Sequence, residues 1–467
     1  MPILIGAHVM NLSFSSLSLS ADLLKNLASL GYEQMTPIQA KSLPVILENK
    51  DIIAKANTGS GKTAAFGLGL LFKLNPSLNV PQSLVLCPTR ELADQVSKEI
   101  RRLARLTPNV KVLTLCGGKP FRMQAESIRL GAQIIVGTPG RIQDHIERKT
   151  LPLQQITTLV LDEADRMLDM GFYDEILQII ALLPKKRQTL LFSATYPDTI
   201  HEMSRSLQTA PIDIRIHESQ DAPDISQLAY EVSVDEKNDA LVDLLTHYNL
   251  PSAIVFCRTK VQCDEIANLL YSKGFRALAI HSDFEQRQRE EVLLQFANLS
   301  CSVLVATDVA SRGLDIKDLP LVVNYDLPSS ADIYTHRIGR TGRCGKSGIA
   351  ISLFTARETF KIEAIEKLHN ITFTKIEKRT LKTDNLISKP SMRTLCIQAG
   401  KKNKLRPGDI LGALTKDAGL AAKDVGKIDI FDFHAYVAIS QQFATHALNK
   451  LSESKIKGMT LRMRYLT

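Results

Sequence analysis

Between about residues 20 and 215, short apolar runs alternate with helical patterns, and this alternation constrains the fold more than any other feature. The runs Asp51–Ala54, Ser83–Cys87, Val110–Leu115, Ala132–Val136, Thr157–Leu161 and Thr189–Phe192 each predict a buried strand. Strands that alternate with helices pair in parallel, because each crossover helix returns the chain to the same end of the sheet and covers one of its faces. The pattern lapses over His217–Ser226, a polar stretch holding Pro223, and resumes with Ala253–Phe256, Ala277–Ile280, Ser302–Ala306 and Leu321–Asn324. At 467 residues the chain exceeds what a single core serves. The expectation is an α/β protein with two parallel-sheet domains, over residues 13–216 and 227–375, and an active site between them. Residues 1–12 are an N-terminal extension and 217–226 a linker. A second linker, charged and aperiodic, covers 376–392, and a further domain occupies 393–467.

That last segment has a different texture. Leu395–Ile397 reads as a strand, Arg406-Pro407-Gly408-Asp409 opens a helix to about Ala418, and Lys427–Ile430 and His434–Ile439 read as strands. A helix over Phe443–Leu451 and a strand over Thr460–Leu466 complete a βαββαβ order, an α+β arrangement that RNA-recognition modules share with many unrelated domains. The charge is concentrated there. Residues 390–467 hold 13 Lys+Arg against 6 Asp+Glu, so +7 of the formal net charge of +9 sits in this domain. A compact basic module on a near-neutral body predicts a polyanion-binding appendage. Elsewhere the balance of 44% apolar and 23% charged residues is that of a soluble globular protein. The N-terminus has no basic n-region or cleavage site, so no signal peptide is expected. Seven scattered cysteines without a CxxC pair point away from zinc and disulfides, toward a reducing cytoplasm.

Two motifs carry the chemistry. Ala56-Asn57-Thr58-Gly59-Ser60-Gly61-Lys62-Thr63 follows the first strand. Its glycines let backbone N–H groups approach phosphates, Lys62 supplies a point charge, and the Thr63 hydroxyl suits Mg²⁺. The phosphate-loop pattern normally begins with glycine, where this chain has Ala56. Asp162-Glu163-Ala164-Asp165 follows the run Thr157–Leu161, so a buried strand delivers two acids at its carboxyl end. Asp162 would hold the metal and Glu163 would act as general base toward water. In the second domain, His336-Arg337-Ile338-Gly339-Arg340-Thr341-Gly342-Arg343 crowds three arginines into eight residues. Such crowding calls for an anion, and guanidinium fingers on a γ-phosphate are one solution. A nucleic-acid phosphate loop or solvated charge are others.

With these motifs in order, residues 14–375 resemble the DEAD-box ATP-dependent RNA helicases, which implies two tandem RecA-like domains. Gly31-Tyr32-Glu33-Gln34-Met35-Thr36-Pro37-Ile38-Gln39 is similar to the family's Q motif, with Met35 where proline is usual. The resemblance implies that Gln39 reads the adenine edge, that Tyr32 stacks on its face and that Gln34 belongs to the same site. It implies that Thr58, Gly59, Ser60, Gly61, Lys62 and Thr63 hold the phosphates. Pro88–Ala93, Gly117-Gly118 and Thr138–Arg141 match RNA-contacting motifs, giving Arg90, Gly118, Thr138 and Arg141 that role. Ser193-Ala194-Thr195, with Asp165, matches the motif coupling hydrolysis to strand separation. In the second domain, Ile254–Thr259, Gln286 with Arg289, and Ala306–Ile316 fill the remaining slots. Arg258, Arg289 and Thr307 are thereby expected on RNA, Gly313 and Asp315 on the nucleotide, and His336, Arg340 and Arg343 at the reacting phosphate. His281-Ser282-Asp283 departs from the family, which has glycine in the middle.

Gly400–Leu414 and Gly426–Ile430 look like the C-terminal module of the DbpA subfamily. Its members recognise a hairpin of large-subunit (23S-type) ribosomal RNA and act in ribosome assembly. The resemblance implies a monomeric cytoplasmic helicase using ATP and Mg²⁺, in which ATP and RNA close the cleft and the tail tethers the core to its target. The first strand of the tail has no aromatic, so base stacking is expected to be minor. Contact is expected from Lys401, Lys402, Lys404, Arg406, Lys455, Lys457, Arg462 and Arg464, while Tyr436 suits either RNA stacking or the core. Two rivals stay open at this point: a DNA-directed helicase, and an ATP-gated RNA clamp that does not turn over.

Overall fold

The computed structural model describes residues 13–56, 60–196, 198–216, 224–308, 316, 318–342, 347–381 and 386–466. The chain forms two compact units, one built on a first sheet and the other containing a second sheet and the C-terminal domain.

The first sheet has strands β1 (Ile52–Lys55), β2 (Ser83–Leu86), β3 (Val112–Leu115), β4 (Ile134–Gly137), β5 (Thr158–Leu161), β6 (Gln188–Ser193) and β7 (Ile212–Arg215). Their order is β3-β4-β2-β5-β6-β1-β7, and every neighbouring pair is parallel. β2, β4, β5 and β6 are buried at every position, which explains their unbroken apolar runs. β7 was not anticipated from the sequence. Ile212-Asp213-Ile214-Arg215 alternates polar and apolar residues, as suits an edge strand with one covered face.

The second sheet repeats this plan. Strands β8 (Ile225–Glu231), β9 (Ala253–Cys257), β10 (Ala277–Ile280), β11 (Val303–Thr307), β12 (Leu321–Asn324), β13 (Gly348–Phe354) and β14 (Thr374–Lys375) run in the order β10-β11-β9-β12-β13-β8-β14. Counted from the start of each domain, the two orders coincide. These are the two RecA-like domains. β8, β13 and β14 were missed in the sequence, and β8 starts within the stretch expected to be linker.

The C-terminal domain is a four-stranded antiparallel sheet of β15 (Met392–Ile397), β16 (Val425–Ile430), β17 (Ala435–Ser440) and β18 (Met463–Tyr465), ordered β16-β17-β15-β18. With helices over Pro407–Gly412 and Ala444–Glu453, this is the expected βαββαβ arrangement. Leu395, Ile397, Ala435, Val437, Ile439 and Tyr465 face the helices and form its core.

Adjacent registers bring the carboxyl ends of the first sheet's strands to one rim. Lys55 pairs with Ser193 and Leu86 with Leu161, so the loops leaving β1, β2, β5 and β6 converge there. Helices start at this rim with equivalent caps in the two domains. Thr89 Oγ1 accepts from Leu92 N at 3.2 Å and Thr259 Oγ1 from Gln262 N at 3.2 Å.

Beneath the rim, His145 on the helix Pro139–Glu147 is fully buried, stacked on Phe121 with centroids 4.2 Å apart and hydrogen-bonded to Thr150 and Gln124. Burial, aided by the neighbouring Arg141, pushes its pKa down to about 4. A group depressed when folded binds its proton first in the unfolded chain, so the native state loses stability as pH falls from about 6.5 toward 4. The loss expected is about 1–3 kcal/mol. Urea titrations across this window should show that slope, and His145→Gln should flatten it.

Candidate active site and nucleic-acid interface

Gly61 opens the helix Lys62–Lys73 with φ +95°, a conformation that L side chains rarely adopt. A Cβ at Gly61 would also stand 2.5 Å from Gln39 Nε2, so the end of that side chain would have to shift. Gln39 is buried, accepts from Thr36 N at 2.9 Å and donates to Gly61 O at 3.1 Å. Its amide therefore ties the Q-motif segment to the phosphate loop, and turning it toward an adenine edge would exchange that bond for one to the base. Lys62 is also buried, its Nζ donating to Ala56 O at 2.9 Å. Ser60 and Thr63 are half-exposed at the mouth of the same loop. Tyr32 is half-buried, donates to Glu99 and meets Phe14 edge-on, while Gln34 lies exposed beside it. Thr58 and Gly59 fall outside the described residues, as do Gly313, Asp315 and Arg343.

The acidic tetrad leaves β5 as expected, with Asp162, Glu163 and Asp165 each at most 4% exposed. Burial pushes the Asp162 carboxyl up to about 6, against the pull of Lys62. Its Oδ1 has no hydrogen-bond partner among the described residues. A buried acceptor with no protein donor fits a hydrated cation. Glu163 holds φ +54°, a left-handed conformation that a non-glycine residue adopts at a cost when the surroundings impose it. Its Oε2 accepts from Arg166 Nη1 at 2.7 Å, in an ion pair whose side chains are 4% and 3% exposed. Arg166 was not singled out in the sequence, although its i,i+3 spacing from Glu163 was the available signal. Asp165 faces the next strand. Its Oδ2 accepts from Ala194 N (3.2 Å), Thr195 N (2.9 Å) and Thr195 Oγ1 (2.9 Å), and its Oδ1 from Arg166 N (3.0 Å). Ser193 Oγ donates to Thr195 O at 2.6 Å, so the three residues expected to couple hydrolysis to movement are joined directly.

Residues expected on RNA occupy the same rim of the first sheet. Arg90 is exposed and its guanidinium crosses Gly117, where a Cβ would meet Nη2 at 2.8 Å. Gly118 takes φ +80°, and Thr138 caps the helix that carries Arg141. Arg141 donates to Lys119 O and Gln124 Oε1. In the second domain, Arg258 is exposed, Arg289 half-buried, and Thr307 buried at the end of β11. His336 and Arg340 follow one another around the end of the helix Ala331–Ile338, and Arg340 is 4% exposed. The first arginine of that run, Arg337, serves the fold. It pairs with Asp308 at 2.6 and 2.8 Å, and donates to Asn324 Oδ1 and Asp326 O.

In the C-terminal domain, Lys401, Lys402, Lys404, Arg406, Lys455, Lys457 and Arg462 are exposed at one edge. Lys457 Nζ donates to Lys404 O at 2.6 Å and Gln398 N to Arg462 O at 2.9 Å, which holds the contributing loops together. Arg464 is exposed as well, with its Nη2 3.5 Å from Glu291 Oε2. Tyr436, which suited either role, is 5% exposed and packed with Leu294, Cys396 and Leu466.

Residues 36–203 match the DEAD/DEAH box helicase family, 236–345 the helicase conserved C-terminal domain and 394–465 the DbpA RNA binding domain. The chain is 51% identical over 445 residues to the ATP-dependent RNA helicase DbpA of Escherichia coli (strain K12), covering 95% of this chain and 97% of that one. It belongs to the DbpA group of DEAD-box ATP-dependent RNA helicases. A second relative, the ATP-dependent RNA helicase DbpA of Bacillus subtilis (strain 168), is 38% identical over 472 residues, or 96% and 98% of the two chains. Among solved structures, S. cerevisiae Dbp5 bound to RNA and ADP BeF3 is similar with a TM-score of 0.70 at 34% identity, covering 78% of this chain and 95% of that one. The helicase is thus an ATPase that binds RNA, which removes the DNA-directed rival.

The pair Glu163–Arg166 generates a test. Removing one partner of a buried ion pair leaves the other charge uncompensated, at a cost of about 3–5 kcal/mol. Arg166→Met should lower stability by that order and reduce kcat for ATP at least tenfold, while Arg337→Met should lower stability through the other unit. Thermal unfolding and steady-state ATP hydrolysis measure both.

Proposed function

We propose that this helicase hydrolyses ATP with Mg²⁺ to open short RNA duplexes near a hairpin of large-subunit ribosomal RNA during ribosome assembly, as a cytoplasmic monomer. The observation that carries the targeting is the exposed basic edge of the C-terminal domain, where seven cationic side chains from two linked loops and a strand end converge. Cations on loops engage phosphates and position an RNA, and shape then selects the hairpin. No helix among the described residues is long and apolar enough to cross a membrane.

In the ATP site, Thr63 and Asp162 would hold Mg²⁺, which supplies charge neutralisation at the phosphates when bound. The orphaned Asp162 Oδ1 supports this assignment. Backbone N–H groups after Gly59 and the Lys62 ammonium bind the phosphates, and Gln39, Tyr32 and Gln34 take the base. Glu163 accepts a proton from the attacking water at its carboxylate. Asp315 and Gly313 are assigned to the ribose side, and Arg340, Arg343 and His336 to the γ-phosphate. Asp165, Ser193 and Thr195 transmit the state of the site through the bonds described above.

Two variants separate the parts of this proposal. Glu163→Gln should reduce ATP turnover about 10²–10⁴-fold with ATP binding retained; turnover within twofold of wild type would remove Glu163 as the base. Lys401→Ala/Lys402→Ala/Lys404→Ala should weaken affinity for a ribosomal hairpin fragment and lower the salt slope of binding by two to three. Equal stimulation of ATP hydrolysis by the ribosomal fragment and unrelated RNA would remove the target.

A further inference from the structure

Three of the segments expected on RNA meet at one turn of the first domain. The turn, residues 117–119, leaves β3 and leads into the helix Phe121–Arg129. Gly118 takes φ +80° in it, and a Cβ at Gly117 would stand 2.8 Å from Arg90 Nη2. The third segment, residues 138–141, follows β4, the neighbour of β3. Register sets Leu115 opposite Gly137, and Thr138 N donates to Leu115 O at 3.2 Å. Strand pairing ends at that point, so side chains hold the turn beyond it.

Their bonds converge on Gln124, in the first turn of the helix Phe121–Arg129 and 5% exposed. Its Nε2 donates at 2.8 Å to Cys116 O, the carbonyl immediately before the two glycines. Its Oε1 accepts from Arg141 Nη1 at 2.9 Å. The same Nη1 donates at 3.1 Å to Lys119 O, at the far end of the turn. One amide therefore closes a circuit. Gln124 holds the start of the turn, Arg141 holds its end, and Gln124 holds Arg141. The Arg141 side chain keeps 17% of its surface exposed, so it is anchored from within and still open to a phosphate.

The amide has one orientation that satisfies this circuit. Oε1 also lies 3.1 Å from His145 Nε2, and a carbonyl oxygen only accepts, so His145 carries its proton on Nε2. Nδ1 then takes the Thr150 hydroxyl, 2.7 Å away. Burial keeps the ring neutral near pH 7, since its pKa is pushed down to about 4. Turning the amide over would set its N–H groups against those of Arg141 and His145, and its oxygen against Cys116 O. Buried donors facing donors are costly, so the side chain is locked as it stands.

We propose that Gln124 is a positioning residue for RNA binding by the first domain. Its side chain fixes the glycine turn and the Arg141 guanidinium in one arrangement, so two separate segments present their backbone contacts together. The gain is entropic. A free arginine and a free glycine turn would each lose conformational freedom on meeting a phosphate, and here that freedom is lost on folding instead. Contacts of this kind carry no sequence information, so Gln124 affects every RNA alike. Its contribution is separate from that of the basic edge of the C-terminal domain. The proposal rests on the reading that Arg141 and Gly118 meet RNA.

The test compares Gln124→Met, Arg141→Ala and their combination in the full chain. Methionine keeps the length of glutamine and removes both amide groups. ATP hydrolysis is followed against the concentration of a single-stranded RNA without the ribosomal hairpin, and thermal unfolding shows that each variant is folded. Gln124→Met should raise the RNA concentration for half-maximal stimulation about five- to tenfold, with kcat at saturating RNA within about twofold of the parent. Arg141→Ala should raise it at least as far. The combination should exceed Arg141→Ala by no more than about twofold, because a residue that acts through another does not add to it. Gln124→Glu still accepts from Arg141 but cannot donate to Cys116 O; it should give a rise of about two- to threefold, and it decides the matter if the methionine variant does not fold. A glutamine that serves the fold alone would lower the melting temperature and leave half-saturation where it was. That result overturns the proposal, as do additive effects in the combination. A rise in Arg141→Ala alone overturns it while keeping Arg141 on RNA. A rise in Gln124→Met alone removes Arg141 from the RNA contacts and supports Gln124 acting through the glycine turn.

Discussion

The carboxylate of Asp165 is the constraint on which the active-site rim depends. It collects donors from its own helix start and from the turn after β6, three of them on one oxygen. Buried donors left without an acceptor are costly, so the ends of β5 and β6 hold one arrangement at a time. The connection continues toward the phosphate loop. Ser193 Oγ donates to Thr195 O, and Ala56 N donates to Ser193 O at 3.0 Å. An unbroken line of hydrogen bonds thus joins the loop that would receive phosphate, the turn after β6 and the acidic tetrad. Glu163, in its left-handed conformation, is held within this frame by Arg166.

Using one sheet order twice gives each domain the same functional rim but different chemistry on it. In the first, the loop after β1 carries Gly61 and Lys62. Among its described residues the second domain has no such loop. Its sequence invests in buried arginine, and Arg337 bonded to Asp308, Asn324 and Asp326 binds the helix Ala331–Ile338 to β12. Arg340 stands two residues past the end of that helix and is buried.

Most of the fold was legible because fully buried parallel strands leave long apolar runs. Three of the four missed strands have weaker signatures, whereas β13 is a seven-residue, mostly apolar run that the sequence did display. β7 alternates at an edge, β14 is two residues long, and β8 begins next to a polar stretch. The phosphate loop and the tetrad were legible from spacing alone, since each follows a strand end. Arg166 and the Gln39–Gly61 bond were not, for different reasons. Arg166 looks like one more surface charge until its burial is known, and Gln39 meets Gly61 across 22 residues of chain. Arg464 is the instructive case in the basic domain. Composition placed it with its cationic neighbours, whereas the alternation of β18 turns it onto the sheet face, toward Glu291.

Tyr436 shows why an aromatic on a small sheet is an ambiguous sign of RNA stacking. A tyrosine covers apolar area with its ring and needs a partner for its hydroxyl once buried. Both needs are met here by a protein helix, through Leu294 and Glu291. A base would satisfy the ring through its π face, but a carboxylate beside the hydroxyl would repel the phosphate that accompanies it. The acid therefore discriminates between the two occupants where the aromatic does not. It was present in the sequence all along, as part of the stripe Arg287, Glu291, Leu294 and Asn298. That stripe is mixed in polarity and belongs to a helix whose own apolar face is occupied elsewhere, with Val292 and Phe296 buried. Leu294 and Glu291 of that stripe meet the row of side chains across β15 to β18.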